Sequence, residues 1–189
     1  MPNSRGYAFW TTAVNTPPDN PDFQSRAALC ISATRHRTVC ITITGMASRQ
    51  DLQRFVEAQQ SVYEQACAEL AAGKKSSHWM WFVFPQLAGL GRSSMAVRFA
   101  LASVSEAQAY WQHELLGPRL KQCIELVIAS KGKTAFQIFG TPDDLKFRSC
   151  LTLFAHALPD EPLFKAALTK FFQGELDSKT VELFSREKL

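Results

Sequence analysis

Hydrophobic residues recur at three- and four-residue spacing along most of the chain after Met46, a period typical of amphipathic helices. The first predicted helix begins at about Ala47 and continues to about Leu70, and Gly73 supplies its stop. Its apolar positions are Leu52, Phe55, Val56, Val62, Tyr63, Ala66 and Leu70.

Caps and breakers divide the remaining sequence into further helices. They are predicted from Ser93 or Ser94 to about Ala102, Ser105 to about His113, Gly117 to about Lys131, Pro142 to about Leu158, Pro162 to Phe172, and Ser178 to Phe184. Ser105 and Gln108 fit a capping box, and Thr141 is the predicted cap of the helix that Pro142 opens. The pattern therefore predicts an all-α fold.

The most aromatic stretch runs from Ser77 to Gln86 and holds Trp79, Trp81 and Phe84. Burying one aromatic side chain removes about 150–250 Å² from water, so this run is expected at the centre of the domain. Its length fits either a buried strand or a helical segment, and periodicity leaves both open.

The first 45 residues differ from the rest. Asn15–Asp22 contains three prolines and reads as a turn-rich linker, and Thr38–Thr44 alternates weakly, as a lone strand would. A lone strand has no partner to pair with. We therefore expect residues 1–45 to be a disordered or non-native N-terminal extension, and residues 46–189 to form one compact helical domain.

The composition narrows the class of protein. Hydrophobic residues make up 46% of the 189 positions and charged residues 20%, as in globular proteins. A net charge of +4 is too small to indicate nucleic acid or an anionic membrane as partner, and no apolar run approaches the roughly 18 residues of a membrane span. Five cysteines without a C-x-x-C pair favour a reduced, cytoplasmic protein over one with disulfides or a redox role. Cys67 and Cys123 fall on apolar stripes, where cysteine behaves as a small hydrophobe.

Several motifs occur together in a fixed order. They are His78–Gln86, Gly89–Ser93, Leu116–Leu120, Phe139–Ser149, Thr152–Phe154 and Phe171–Gly174. This set resembles the bacterial family called domain of unknown function 1810, and the resemblance covers Gln50 to Phe184. It implies an all-helical single domain with buried central helices, and it implies no activity.

Two details bear on that resemblance. Some members of the family carry the label calpastatin, which would imply a disordered, acidic and repetitive inhibitor. This chain is slightly basic and unrepeated, so the label does not fit. The segment His113–Leu115 departs from the family pattern, in which a proline commonly follows the histidine.

His78 is the candidate catalytic residue, because a histidine at the edge of an aromatic cluster can act as a general acid or base. The alternative is that it hydrogen-bonds the backbone beside the core. No histidine or cysteine has the spacing of metal ligands, and neither a metal nor a cofactor is indicated.

A second candidate is the segment that holds Gln86, Gly89, Gly91, Arg92 and Ser93. Glycines let backbone N–H groups approach an anion, and arginine binds carboxylate or phosphate with two donors. The spacing matches no known phosphate-binding loop. The alternative is an ordinary turn between helices.

A third candidate is the helix that Pro142 opens. Four polar residues recur every fourth position on one face: Asp144, Arg148, Thr152 and His156. The alternatives are a solvated face, or a polar pocket in which Asp143, Lys146 and Arg148 meet His78 and Arg92.

These candidates lead to one functional expectation and one rival. The expectation is a domain that binds a small anionic or nucleotide-like ligand. If the domain is an enzyme, His78 would donate or accept the proton. The ligand-binding residues would be Gln86, Arg92, Ser93, Lys146 and Arg148. The rival is a non-catalytic interaction or structural module in which the same side chains only fix helix packing. The sequence leaves the oligomeric state open.

Overall fold

The computed structural model describes residues 44–186, with side chains from Leu52 onward. These residues form ten helices: α1 (Thr44–Gln60), α2 (Tyr63–Ala71), α3 (Met80–Val83), α4 (Ser94–Arg98), α5 (Val104–Gln112), α6 (Leu116–Ala129), α7 (Ala135–Phe139), α8 (Asp143–Ala157), α9 (Pro162–Phe172) and α10 (Ser178–Arg186). Between residues 44 and 186 there is no strand, only an isolated bridge between Leu87 and Leu101. The predicted all-α class is confirmed. The predicted extension lies outside the described residues, except for Thr44 and Gly45, which begin α1.

The first predicted helix is interrupted. Periodicity indicated one continuous helix to Leu70, but α1 ends at Gln60 and α2 begins at Tyr63. The amide of Val62 donates to the carbonyl of Gln59 over 3.1 Å, which makes a tight turn between them. The apolar stripe continues across this turn because both helices pack on the same core, and so the pattern gives no sign of the break.

The aromatic side chains of the run lie inside the protein, as expected, and the run contains the short helix α3 rather than a strand. Trp79 is 1% exposed and immediately precedes the short helix α3. Met80, Phe82 and Phe84 are also buried, and among the aromatic side chains of the run only Trp81 is partly accessible. The run therefore serves as interior scaffolding for the surrounding helices.

Phe147 on α8 lies at the centre of an aromatic cluster. Its ring centroid is 5.0 Å from that of Phe84, 4.8 Å from Phe139, 6.2 Å from Phe171 and 6.3 Å from Phe172. These partners come from the aromatic run, α7 and α9. Helix α8 packs against α5, α7, α9 and α10, so it is the central helix of the domain.

Two predicted caps are wrong by one or two residues. The N-cap of α5 is Ser103, not Ser105: its Oγ accepts from the amide of Glu106. The N-cap of α8 is Pro142 rather than Thr141, whose hydroxyl instead donates to Asp144. Helix α4 is shorter than predicted and ends at Arg98, although its predicted cap Ser93 is confirmed.

Helix α7 was not predicted, yet it carries a capping box. The Thr134 hydroxyl accepts from the amide of Gln137 over 3.2 Å, and the Gln137 side chain accepts from the amide of Thr134 over 2.8 Å. The T-x-x-Q spacing was visible in the sequence, but a five-residue helix is too short to show a period.

The capping box gives a testable prediction. Thr134→Ala removes one of the reciprocal bonds, so we expect the free energy of unfolding to fall by about 1 kcal/mol. Thr169→Ala is the control, because Thr169 is an exposed residue of α9 whose hydroxyl only donates back to the carbonyl of Lys165. Its loss should cost less than about 0.5 kcal/mol. Urea unfolding measures both. Equal effects would show that the box does not stabilise α7.

Candidate functional site

The polar face predicted for α8 exists, and it points at the segment between α9 and α10. Arg148, Thr152 and His156 stand one turn apart, and each contacts this segment or α10 itself. The face is therefore covered only in part: Thr152 is 1% exposed, Arg148 is half-buried, and His156 is exposed.

Arg148 holds the backbone that follows α9. Its Nε donates to the carbonyl of Glu175 over 3.1 Å, and its Nη2 donates to the carbonyl of Leu176 and to Glu175 Oε2, each over 2.9 Å. The ion pair with Glu175 is largely exposed and contributes little by itself. The two carbonyl contacts matter more here, because they fix where Leu176 lies.

Thr152 and Asp177 join α8 to the start of α10. The Thr152 hydroxyl accepts from the amide of Asp177 over 2.9 Å. The Asp177 carboxylate accepts from the amide of Thr180 over 2.9 Å and from its hydroxyl over 2.6 Å. This cap fixes α10 against α8, so the two helices keep a defined gap.

That gap is a cavity of about 350 Å³ between α8, α9 and α10. Its lining is mostly apolar and consists of Thr152, Ala155, His156, Lys165, Leu176, Val181, Phe184 and Ser185. Leu176 and Val181 are 49% and 39% exposed, so part of the apolar lining is in contact with water. The cavity is within the size range of small-ligand sites.

Two basic or ionisable side chains line this apolar cavity. The His156 ring stacks on Phe184 with centroids 4.0 Å apart, and Lys165 reaches the lining from α9 while donating to the Pro159 carbonyl over 2.6 Å. The nearby acids are already engaged, since Glu175 pairs with Arg148 and Asp177 caps α10. A cationic group beside an apolar wall suits a small acid with an apolar body.

Lys146 lies in a different environment from Arg148. Its Nζ is 2.7 Å from Asp143 Oδ1 and 4.6 Å from the centre of the Trp81 ring. Lys75, which the sequence did not single out, binds the other oxygen of Asp143 over 2.6 Å. Burial alone would raise the pKa of Asp143, but the two lysines outweigh it and lower that pKa. Residues two positions apart on a helix point to different sides, which separates Lys146 from Arg148.

The other candidates belong to the segments before α3 and α4. His78 and Arg92 have exposed side chains, and within residues 52–186 neither makes a hydrogen bond or ion pair. Ser93 caps α4 by accepting from the amide of Ala96, and Gln86 accepts from the amide of Leu101 through its backbone carbonyl. Among the described residues, no hydrogen bond or ion pair joins these four to Lys146 or to Arg148.

Several residues that line the cavity were not predicted from the sequence. Leu176, Val181 and Phe184 line the cavity, but in the sequence their spacing indicates only the apolar side of a short helix. Lys165 belongs to no motif or spacing pattern that would mark it as a site residue. An apolar residue that stays exposed after folding is visible only in the tertiary structure.

The described part of the chain offers neither a cluster of metal ligands nor a membrane-spanning helix. No three or more histidine, cysteine, aspartate or glutamate side chains come together there as ligands for a metal ion. Among the helices formed by residues 44–186, none combines the length and the apolar character that a bilayer crossing requires.

Together these features define an all-helical protein with an aromatic core and a small apolar cavity beside its central helix. A sequence model of the family "Protein of unknown function (DUF1810)" matches residues 49–184, and the chain belongs to that family. The resemblance seen in the sequence is thereby confirmed.

A solved structure is similar to this fold. It is the crystal structure of the conserved hypothetical protein Rv1873 from Mycobacterium tuberculosis, with 54% sequence identity and a TM-score of 0.70. The similarity covers 70% of this chain and 95% of that one. No curated protein matches the chain.

Proposed function

We propose that this protein binds a small organic acid with an apolar body in the cavity between α8, α9 and α10. The observation that carries the proposal is an apolar cavity of about 350 Å³ with a lysine and a histidine in its lining. Its exposed walls Leu176 and Val181 would lose contact with water when such a ligand entered.

Each part of the ligand has a counterpart in the cavity. Phe184, Val181 and Leu176 supply apolar surface for the body of the ligand. The ammonium of Lys165 and the ring N–H of His156 supply donors for its carboxylate. Arg148 is a positioning residue, because it holds the Leu176 backbone rather than the ligand.

The proposal keeps the anionic ligand expected from the sequence but locates it on the α8 face of Arg148, Thr152 and His156. The predicted set of His78, Gln86, Arg92, Ser93 and Lys146 remains a separate proposal. Lys146 favours it least, since its charge is already compensated by Asp143.

A thermal-shift titration tests the proposal with named probes. We expect cyclohexanecarboxylate and indole-3-acetate to raise Tm, because a ligand at one hundred times its Kd stabilises the native state by about 2.7 kcal/mol. The corresponding neutral amides should raise Tm less, and inorganic phosphate, which has no apolar body, should leave it unchanged.

Three variants locate the site. Lys165→Met should weaken binding of the acids by about fivefold and leave binding of the amides unchanged, since it removes one exposed charge. Ala155→Leu should abolish binding of both, because the larger side chain fills the cavity. Lys179→Met is the matched control on α10, does not line the cavity, and should bind as the unmodified protein does.

The rival function is a structural or interaction module. The ion pairs of Lys146 with Asp143 and of Arg148 with Glu175 favour it, as does the fact that within residues 52–186 every buried side-chain nitrogen and oxygen has a hydrogen-bond partner. If none of the probes changes Tm, or if Ala155→Leu leaves their effects intact, the cavity proposal fails and the rival stands.

A further inference from the structure

A second cavity lies next to the one between α8, α9 and α10, which is called the first cavity from here on. The second cavity is open, has a volume of about 430 Å³, and is lined by Gln108, Ala157, Leu158, Pro159, Asp160 and Glu161. Two carboxylates and a side-chain amide make this lining more polar than that of the first cavity. The second cavity therefore suits a different part of a ligand.

The linings of the two cavities meet at one hydrogen bond. The Lys165 ammonium, from the first lining, donates to the carbonyl of Pro159, from the second, over 2.6 Å. His156 and Ala157 are consecutive residues of α8, and they likewise belong to the first and to the second lining. A small molecule bound at Lys165 is therefore within reach of both cavities.

This meeting point places a hydrogen-bond donor beside an acceptor, and both have capacity left. An ammonium carries three N–H donors and a carbonyl oxygen has two lone pairs, of which the bond between Lys165 and Pro159 uses one each. A carboxylate can take another N–H of Lys165, and an amine can donate to the Pro159 carbonyl. The two charged groups of an α-amino acid fit such neighbouring positions because they share one carbon atom.

Asp160 can act as the counter-ion of this amine. Unlike the acids beside the first cavity, its carboxylate makes no hydrogen bond or ion pair within residues 52–186. Glu161 is partly engaged, since its Oε1 accepts from the amide of Leu163 and caps α9. Gln108 donates to the carbonyl of Ala157 over 2.9 Å, which leaves its side-chain oxygen as a further acceptor. An amine finds acceptors here, whereas in the apolar first cavity it would lose its hydration without compensation.

We propose that the ligand is a free α-amino acid with a large apolar side chain. This inference rests on the proposed function, because the side chain takes the place of the apolar body in the first cavity. The carboxylate binds Lys165 and His156, and the ammonium binds the Pro159 carbonyl and Asp160 in the second cavity. A residue within a peptide does not carry both charges on one carbon, so the ligand is the free amino acid.

Three related compounds isolate the amine. L-Tryptophan differs from indole-3-propionate only by its α-amino group, and tryptamine has the amine without the carboxylate. Isothermal titration of the full chain should give a Kd for L-tryptophan about fivefold lower than that for indole-3-propionate, the effect of one exposed ion pair. Tryptamine should bind more weakly than either, because it offers no carboxylate to Lys165. An amine without acceptors would have the opposite effect, since its desolvation weakens binding.

An Asp160→Asn variant assigns the amine to the second cavity. It should remove most of the preference for L-tryptophan and leave the Kd of indole-3-propionate unchanged. The Tm of the unliganded protein should also stay unchanged, because Asp160 is exposed and makes no bond within residues 52–186. Glu125→Gln is the matched control: this exposed carboxylate on α6 lines neither cavity, so the variant should keep the preference.

The possible failures can be told apart. If indole-3-propionate binds, and Ala155→Leu abolishes that binding, but L-tryptophan binds no more tightly, the inference is overturned while the proposed function stands. If Asp160→Asn keeps the full preference, the amine does not lie in the second cavity and the inference is again overturned. If none of the three compounds binds, the proposed function and this inference fail together.

Discussion

Replacing Gly117 by alanine is expected to destabilise the protein by about 3 kcal/mol or more. A methyl group on Gly117 would lie 1.9 Å from the carbonyl oxygen of Trp111 and 2.9 Å from its carbonyl carbon. These are backbone atoms at the end of α5, so they cannot rotate away as a side chain could. Relief of the clash requires α6 to move away from α5, which opens the core that Leu116 and Leu120 fill.

The sign of this effect distinguishes packing from backbone preference. Gly117 lies within α6, where alanine has the higher helix propensity by about 1 kcal/mol, so propensity alone predicts stabilisation. Gly132→Ala is the control, because nothing lies within 4 Å of the added methyl group. Only the left-handed backbone at Gly132, with φ of 69°, should lower the free energy of unfolding, by about 1 kcal/mol. Urea unfolding of the two variants is the measurement. A Gly117→Ala protein as stable as the Gly132→Ala protein would contradict the close contact of α5 with α6.

Glu69→Ala is expected to cost about 3 kcal/mol, because it removes the acceptor that organises the chain before α3. Glu69 is 8% exposed. Its Oε2 accepts from the amides of Ser76 and Ser77 over 2.8 and 3.1 Å, and from Trp79 Nε1 over 2.8 Å. Its Oε1 accepts from the Ser77 hydroxyl over 2.7 Å. Alanine leaves these donors without a partner, including the indole N–H in the core.

Glu69→Gln is the matched variant, because its amide oxygen can still accept where Oε2 does. We expect it to retain part of the stability that Glu69→Ala loses, because the neutral amide keeps one acceptor but lacks the carboxylate charge. Burial alone would raise the pKa of Glu69, but the hydrogen bonds from Ser76, Ser77 and Trp79 outweigh it and lower the pKa from 4.5 to about 2.

This depressed pKa fixes the sign of the pH dependence. Below about pH 4.5 the unfolded chain binds a proton at Glu69 before the folded chain does, so this residue's contribution to stability falls between pH 4.5 and 2. The difference in free energy of unfolding between the native protein and Glu69→Gln should therefore shrink over that range. A difference that is constant from pH 7 to pH 3 would show that the carboxylate charge does not stabilise the loop.

Local patterns identified most helices because their signals are short-range. Pro162–Phe172 was predicted with both ends correct, since a proline opens it and its apolar positions repeat across three turns. The break between α1 and α2 was missed because hydrophobic spacing stays in phase across it. Helix α7 was missed because five residues cannot show a period.

The cavity lies beside a helix face that the sequence predicts, but none of the predicted site residues lines it. The spacing of four residues placed Arg148, Thr152 and His156 on one face of α8, and this face lies beside the cavity. Its partner surface on α9 and α10 lies in another part of the chain, and spacing within α8 carries no information about it. For the same reason the sequence did not show that Lys75 pairs with Asp143.

By itself the sequence determined the helical class, the family and the burial of the tryptophan-rich run, because side-chain periodicity, helix ends and aromatic content act locally or through composition. Only the tertiary structure decided which residues from distant parts of the chain meet. Examples are the side chains that line the gap between α8 and α10, and the Glu69 carboxylate that accepts from Trp79. Such contacts depend on how helices far apart in the chain cross one another, and that geometry is set by the packing of the whole core.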